Sequence, residues 1–186
     1  AKRPKWSLKL LEDSTLGRSH RHIIAKSKLL KIIDLTKSTL KIPSDYIVGI
    51  VPGSDTGAIE IAMWNLLGPR PISMLVWDSF SLDWANDIQS QLKLENVNIY
   101  KVDYGKLPDL TNHQFKGDIV FNWNGTTAGV CVPNANWISD SHDGLIICDA
   151  TSAAFAMDID WSKLDVATFS WQKCLGGEAG QGMLVL

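Results

Sequence analysis

Lys173 has the most informative setting for chemistry in this chain. It follows the apolar run 166–171 and precedes the glycine pair at 176–177, which predicts a lysine at the end of a buried strand. Desolvation there lowers the pKa of an amine and leaves the neutral nucleophile that Schiff-base chemistry requires. The alternative is a lysine that extends its ammonium group into solvent from the strand end.

Asp149 directly follows a second apolar run, Leu145–Cys148. A carboxylate in that position is costly to bury unless a cation or an N–H group pairs with it. Asp149 is therefore a candidate partner for a cationic ligand atom. A helix cap is the alternative interpretation.

A turn of small residues, Pro52–Ala58, follows the apolar run 47–51 and precedes a helix-like stretch. In this turn, which also contains Thr56, Ser54 or Asp55 can cap the helix. The exposed N–H groups together with the helix dipole favour the binding of a phosphate. A capped turn without any ligand is the alternative, and the turn matches neither a P-loop nor a dinucleotide fingerprint.

Together, a lysine, a carboxylate and a phosphate turn, each following its own strand, supply the three partners that pyridoxal 5′-phosphate needs. These are a partner for the aldehyde, a partner for the pyridinium nitrogen and a cradle for the phosphate. The combination predicts a site for this cofactor, although each feature also has a purely structural explanation.

Three further segments are weaker candidates. The turn Asn124–Gly129 after the run 119–123 brings hydroxyls to the sheet edge, or serves only the backbone geometry of Asn-Gly. Trp84, one of eight tryptophans, is a candidate for stacking on a flat ring. His20 and Arg21 offer two cationic donors for a substrate anion, or form a solvated basic helix end.

The elements that must position these residues are predicted from periodicity. Apolar residues recur at helical spacing from Leu16 to Leu40, which predicts an amphipathic helix that is entered through Gly17–His20 and ended by Pro43. Short apolar runs then alternate with helix-like stretches, which predicts one α/β domain with a largely parallel sheet. The predicted strands are 46–51, 73–77, 97–102, 119–123, 145–148, 166–171 and 183–186, and the predicted helices within this region are 58–67 and 82–92.

Composition narrows the class of partner. The 186 residues are 45% hydrophobic and 20% charged, with a formal net charge of −2, so neither nucleic acid nor an anionic membrane is the expected partner. We find no apolar run of about 20 residues and no signal-peptide core, and we predict a cytoplasmic location. The three cysteines are too widely spaced for a disulfide frame or a zinc site, and we interpret them as reduced, mostly buried thiols, with no metal expected.

The two ends of the sequence predict a larger protein. The chain begins without methionine and stops in the apolar run Gly182–Leu186, with no turn or polar tail after it. We therefore expect residues 1–186 to be part of a large domain that continues beyond Leu186.

The segments Ser170–Gly177, Asp149–Ser152, Asn124–Gly129 and Leu16–Arg21 resemble those of the phosphoserine aminotransferases, in class V of the pyridoxal-phosphate enzymes. The resemblance begins at Ala1–Pro4 and runs through almost the whole chain. It implies the aspartate-aminotransferase-like fold, fold type I, with a mostly parallel sheet in the large domain and a small C-terminal domain beyond this chain.

The resemblance also implies roles for single residues. Lys173 matches the Schiff-base lysine, and Asp149 matches the carboxylate that keeps the pyridine nitrogen protonated. Trp84 matches the aromatic residue that stacks on the ring, Thr126 the hydroxyl donor to the phenolic oxygen, and Gln172 a phosphate contact beside the turn.

Two further features of the family bear on phosphate recognition. Many relatives have a glycine-rich loop with an arginine where this chain has Ser54, Asp55 and Thr56, so donation from backbone N–H groups is the part of the pattern that carries over. His20 and Arg21 match residues that bind the substrate phosphate across the interface of a homodimer.

The activity implied is amino transfer between L-glutamate and 3-phosphohydroxypyruvate, which gives O-phospho-L-serine and 2-oxoglutarate and serves serine biosynthesis. Use of 4-phosphohydroxythreonine in vitamin B6 biosynthesis is left open. We expect the 186 residues alone to be inactive, because relatives take a substrate-binding arginine from later sequence. The alternatives are another class V enzyme, of the alanine–glyoxylate aminotransferase or cysteine desulfurase type, and a non-enzymatic α/β interaction domain.

Overall fold

The computed structural model describes residues 4–19 and 21–186. In chain order it contains the helix α1 (Ile23–Leu40), the strand β1 (Val48–Pro52), the helix α2 (Ser54–Leu66), the strand β2 (Ile72–Val76), the helix α3 (Ser79–Asn86), and the strands β3 (Val97–Lys101), β4 (Asp118–Asn122), β5 (Asn124–Gly125), β6 (Val130–Cys131), β7 (Ile146–Asp149), β8 (Val166–Ser170) and β9 (Gln181–Val185). Short 3-10 helices occur at Leu8–Leu11 and Trp161–Lys163, and a π-helical turn at Asp87–Gln91 extends α3.

Seven strands form one sheet in the order β1-β9-β8-β7-β4-β2-β3. All neighbouring pairs are parallel except the two made by β9, which is antiparallel to both β1 and β8. The predicted α/β architecture with a largely parallel sheet is therefore confirmed. The strands β2, β4, β7 and β8 are buried along their whole length, as expected for parallel strands that are covered on both faces.

Alternate residues of each central strand pack into two separate cores. On one face of the sheet, Met74 and Val76 contact the apolar sides of α2 and α3, including Met63 and Trp84. On the other face, Leu75 packs into a core built largely from the connections after β3, β4 and β7. The sheet thus separates the two helices α2 and α3 from a layer of mostly irregular chain.

The helix α1 begins later than the sequence predicts. His22 is its N-cap, with the ring Nδ1 accepting a hydrogen bond from Ile24 N, and Lys41 ends it in a left-handed conformation. The sequence predicts entry into this helix through Gly17–His20, whereas Leu16 and Gly17 form a turn and Arg18 a bend. Most apolar side chains of α1 are exposed, and the buried residues of this helix are Ala25 and Thr36.

The other predicted boundaries differ from the observed ones by a few residues. The helices α2 and α3 each begin earlier than predicted, α3 because Asp78 and Ser81 form a capping box. The short β5–β6 hairpin was not predicted. The interpretation of the cysteines as mostly buried is wrong, because Cys131 and Cys174 are exposed; all three are free thiols.

Within the described ranges, no helix has both the length and the apolar character required to cross a membrane. The same residues contain no group of three or more His, Cys, Asp or Glu side chains placed to hold a metal ion.

Candidate active site

A cleft opens where the carboxyl ends of the parallel strands meet. It contains about 480 Å³ of space free of protein atoms, part of it open to solvent. Its walls come from the segments that follow β1, β2, β4, β7 and β8. The lining residues are Ser54, Asp55, Thr56, Phe80, Trp84, Asn122, Asn124, Thr126, Asp149, Thr151, Ser152, Gln172 and Lys173.

Asp149 is the last residue of β7 and is only 8% exposed. The indole Nε1 of Trp84 donates a hydrogen bond to its Oδ2 at 3.1 Å, and the backbone N–H of Thr151 donates to its Oδ1 at 3.0 Å. The carboxylate therefore has the N–H partners that its burial requires. These two donors fix the orientation of the group at the floor of the cleft.

Asp55, in the first turn of α2, is 5% exposed, and its side chain lies against Asp149. Burial raises the pKa of Asp55 well above its ordinary value, and the negative charge of Asp149 raises it further, while contacts with Thr151 and Thr168 act in the opposite direction. The prediction that Ser54 or Asp55 caps α2 is wrong: the N-cap is Gly53, and it makes no side-chain cap bond.

The turn before α2 is tightly folded. Gly53 and Ser54 both have positive φ, of 84° and 62°. The hydroxyl of Ser54 contacts Ser170 Oγ at 3.3 Å, and Gln172 Nε2 donates to Ser54 Oγ at 3.4 Å. Thr56 is exposed at the mouth of the turn. The first N–H groups of α2 have no partner within the helix and lie at its positive end, which suits an anion.

Lys173 lies in the turn after β8, which ends at Ser170. Its side chain is exposed, and Nζ lies 5.9 Å from the centroid of the Phe80 ring. The prediction of a partly buried lysine at the strand end is wrong for this structure, because the chain leaves the sheet before it reaches the lysine. The amine nevertheless lines the same cleft as Asp149.

Two other predicted residues, Trp84 and Thr126, also line the cleft. Trp84 is 4% exposed and packs among the apolar residues of α2 and α3. Thr126 is exposed, and its hydroxyl is 2.8 Å from the hydroxyl of Ser152.

Of the predicted substrate-binding pair, the structure describes only Arg21. Arg21 is exposed, does not line the cleft, and uses its backbone N–H to contact Ser19 Oγ at 3.1 Å. His20 lies outside the described residues.

Sequence reasoning did not single out Phe80, Asn122, Thr151 or Ser152 as site residues, although all four line the cleft. Asn122 is the last residue of β4. It was missed because the predicted strand 119–123 placed it within a buried strand rather than at the end of one. Thr151 and Ser152 directly follow Asp149, so the rule that ligands bind after the carboxyl ends of strands was the signal that could have identified them.

Unpaired polar atoms are concentrated at the cleft. Among the described residues, eight buried side-chain N or O atoms lack a hydrogen-bond partner of normal geometry. Four of these atoms belong to residues that line the cleft: Asp55 Oδ1, Asn122 Oδ1, Thr151 Oγ1 and Gln172 Oε1. Because buried polar atoms normally have partners, this cleft has the polar lining that a ligand would satisfy.

Comparison with known proteins places this geometry in context. No protein-family model matches the chain. A curated phosphoserine aminotransferase from Methanosarcina mazei is 58% identical over 186 residues, which is 100% of this chain and 50% of the relative. Along its whole length, the chain is homologous to phosphoserine aminotransferases. It spans about half the length of the curated relatives it matches.

Solved structures agree on the fold. A phosphoserine aminotransferase from Cytophaga hutchinsonii is 28% identical and superposes with a TM-score of 0.87, covering 96% of this chain and 50% of the other. A phosphoserine aminotransferase from Trichomonas vaginalis, solved with pyridoxal phosphate bound, is 17% identical with a TM-score of 0.76, covering 91% and 51%. The predicted aspartate-aminotransferase-like fold is thus confirmed.

Proposed function

We propose that this chain carries the cofactor-binding part of a phosphoserine aminotransferase. In the complete protein, the reaction transfers the amino group between L-glutamate and 3-phosphohydroxypyruvate. The observation that carries the proposal is the convergence of Lys173, Asp149 and the N-terminus of α2 on one cleft. The identity of 58% to the Methanosarcina mazei enzyme supports it.

The residues of the cleft suit pyridoxal 5′-phosphate. The buried atoms Asn122 Oδ1, Thr151 Oγ1 and Gln172 Oε1 have unused hydrogen-bonding capacity. The donor set also matches the chemistry of the group, since it combines an amine, a buried carboxylate, hydroxyls and the N–H groups of a helix N-terminus. When bound, pyridoxal phosphate supplies an aldehyde that condenses with amines and a ring that accepts electrons.

The chain's own residues hold the cofactor and move the protons. Asp149, fixed by Trp84 Nε1 and Thr151 N, holds a proton at the ring nitrogen. Lys173 Nζ would hold the aldehyde end of the cofactor, and as a free amine it would take up the proton from the substrate α-carbon. Trp84 would offer an aromatic surface to the ring, and Thr126 would offer a hydroxyl to the phenolic oxygen.

The phosphate end is formed by the turn at Ser54, Asp55 and Thr56 together with Gln172. Here the backbone N–H groups of α2 are the principal donors, because the side chain of Asp55 lies against Asp149. The contact between Gln172 Nε2 and Ser54 Oγ keeps the turn and the segment after β8 together.

We further propose that the complete protein is a homodimer in which His20 and Arg21 bind the phosphate of the substrate in the partner's cleft. The exposed position of Arg21, away from the cleft of its own chain, supports this arrangement. The exposed apolar side chains of α1 provide surface for such an association. The three free thiols fit the reducing environment of the cytoplasm, where we infer that the protein acts.

The test uses the complete protein reconstituted with pyridoxal phosphate. We expect a visible absorption band from the bound cofactor and amino transfer from glutamate to 3-phosphohydroxypyruvate. Alanine with glyoxylate serves as the competing substrate pair. Preference for that pair would contradict the proposal in favour of another class V enzyme, and absence of the visible band would contradict any role for this cofactor.

A further inference from the structure

Two carboxyl groups from different elements meet beneath the cleft. Asp55 reaches inward from the first turn of α2, and Asp149 ends β7. Both are almost fully buried, with Asp55 5% and Asp149 8% exposed. Both carboxyl groups line the same cleft, and the side chain of Asp55 lies against that of Asp149.

No cation neutralises this pair among residues 4–19 and 21–186. The ion pairs found there involve other acids, namely Asp103, Asp118 and Asp140. Lys173 lines the same cleft, but its side chain is exposed beside Phe80. Two adjacent buried carboxyl groups without a counter-charge cannot both be ionised, so they hold one proton between them.

The surroundings decide which carboxyl keeps the proton. Asp149 accepts hydrogen bonds from two N–H donors, at 3.1 and 3.0 Å, and such donors stabilise the ionised form. Asp55 has no N–H partner, and its Oδ1 is buried without any partner of normal geometry. The remaining groups that face Asp55 are the hydroxyls of Thr151 and Thr168 and the thiol of Cys148, whose pKa is raised by burial.

We propose that Asp55 is a positioning residue: as a neutral carboxylic acid it donates a hydrogen bond to the carboxylate of Asp149 and holds that carboxylate towards the ring nitrogen of the cofactor. This inference rests on the proposed function for the role of Asp149. It assigns to Asp55 a task different from contact with the phosphate. The pair then carries one negative charge, which matches the single positive charge of a pyridinium ring.

The first experiment detects the proton on Asp55 in the absence of the cofactor. Infrared spectra of the complete, cofactor-free protein at neutral pH are compared with those of Asp55→Asn. We expect the difference to contain the carbonyl stretch of a protonated carboxylic acid. The exposed Asp83 on α3 supplies the matched control, Asp83→Asn, for which this band is absent from the difference. A difference spectrum that shows an ionised carboxylate at Asp55 would overturn the proposal.

The second experiment separates hydrogen bonding from packing. Asparagine keeps an N–H donor towards Asp149, whereas leucine has similar size and no donor. We expect Asp55→Asn to bind pyridoxal phosphate within a few-fold of the original affinity and to keep the pH profile of the cofactor's absorption. Asp55→Leu should weaken binding by about tenfold or more and shift that profile, because Asp149 loses its third donor.

Equal behaviour of the two variants would show that Asp55 only fills space, and failure of Asp55→Asn alone would show that the ionised form is needed; either result overturns the proposal. If the unsubstituted protein binds no pyridoxal phosphate, the proposed function fails. The infrared comparison still decides where the proton lies.

Discussion

Lys173 and Asp149 differ in how the protein holds them. The carboxylate of Asp149 is buried and fixed by N–H donors from Trp84 and Thr151, whereas Lys173 is exposed in a turn and its amine lies 5.9 Å from the centroid of the Phe80 ring. A rigid carboxylate suits a residue that must hold one proton at one atom. A movable amine suits a residue that must leave its first partner and then transfer a proton.

The role of Lys173 is tested by Lys173→Ala in the complete protein. We expect loss of amino transfer, because no other amine lines the cleft among the described residues. The free energy of unfolding should change by no more than about 0.5 kcal/mol, since the side chain is exposed. Borohydride reduction with pyridoxal phosphate, followed by peptide mapping, measures the site of attachment, and the exposed Lys101 provides the control Lys101→Ala. Attachment to another lysine would contradict the assignment.

At the residue scale, the sequence predicted which side chains gather at the cleft better than how each is oriented. Asp149 and Trp84 were singled out because each lies just beyond a predicted strand, and Gln172 was identified through the resemblance to phosphoserine aminotransferases. The inward direction of Asp55 and the exposure of Lys173 depend on the packing of α2 against the sheet and on the path of the chain after Ser170. Neither is encoded in local pattern.

At the scale of elements, the N-terminal turn of α2 depends on close contact with β9. A Cβ atom on Gly182 would lie 2.1 Å from the carbonyl oxygen of Ser54 and 2.9 Å from Ala58 Cβ. Only glycine at this position of β9 lets the turn approach the sheet so closely. The strand therefore determines where the free N–H groups of α2 lie.

The substitution Gly182→Ala tests this dependence. We expect a loss of about 1–3 kcal/mol in the free energy of unfolding, because the extra methyl group overpacks the contact. Weaker binding of pyridoxal phosphate should accompany it, since the turn must move. Urea unfolding and cofactor titration measure the two effects. Gly180→Ala is the matched control, because a Cβ there meets no atom within 4 Å; equal effects of the two variants would argue against the contact.

Strands were predicted more closely than helices. Continuous apolar runs identify strands buried on both faces, and β7 and β8 begin and end within two residues of the prediction. The helix α1 begins slightly after its predicted entry through Gly17–His20, because His22 forms the N-cap. The unusual position of β9, antiparallel between two parallel strands, is a matter of topology that spacing does not reveal.

On the scale of the whole molecule, a partly buried ion pair stabilises the amino ends of the strands, at the end of the sheet opposite the cleft. Arg70 Nε donates to Asp118 Oδ1 at 2.5 Å, and the backbone N–H of Leu145 donates to the same oxygen at 2.8 Å. Asp118 begins β4 and is completely buried. The ion pair thus joins the segments before β2, β4 and β7 at the amino ends of these strands.

Arg70→Ala should lower the free energy of unfolding by roughly 1–3 kcal/mol, because it leaves a buried carboxylate with one donor. A value towards the lower end is expected, since the Arg70 side chain is 38% exposed. Cofactor affinity should not change, as the pair is remote from the cleft. The exposed pair of Lys106 with Asp103 supplies the control Lys106→Ala, for which unfolding in urea should show no measurable change. A loss of cofactor affinity in Arg70→Ala would contradict the separation of the two edges.

The assembly of two chains is tested by complementation. Arg21→Ala should weaken the binding of 3-phosphohydroxypyruvate by about ten- to a hundredfold, because a charge-assisted contact to a phosphate is lost. The binding of glutamate should weaken much less. Arg18→Ala is the neighbouring control. Mixed dimers of an Arg21→Ala chain with a Lys173→Ala chain should regain activity, since one cleft then has both residues intact. No recovery would indicate that Arg21 serves its own chain.

The position of β9 also bears on how the protein is made. In the part of the chain that the structure describes, β1 pairs with β9 alone, so the helix that follows β1 cannot be fixed in place until a strand far along the chain has been synthesised. At about 5–20 residues per second, the ribosome needs roughly 6–26 s after β1 to synthesise that strand, and pairings so distant in sequence form slowly. We expect the phosphate side of the cleft to be the last part of this domain to become ordered, after β2, β4 and β7 have already associated.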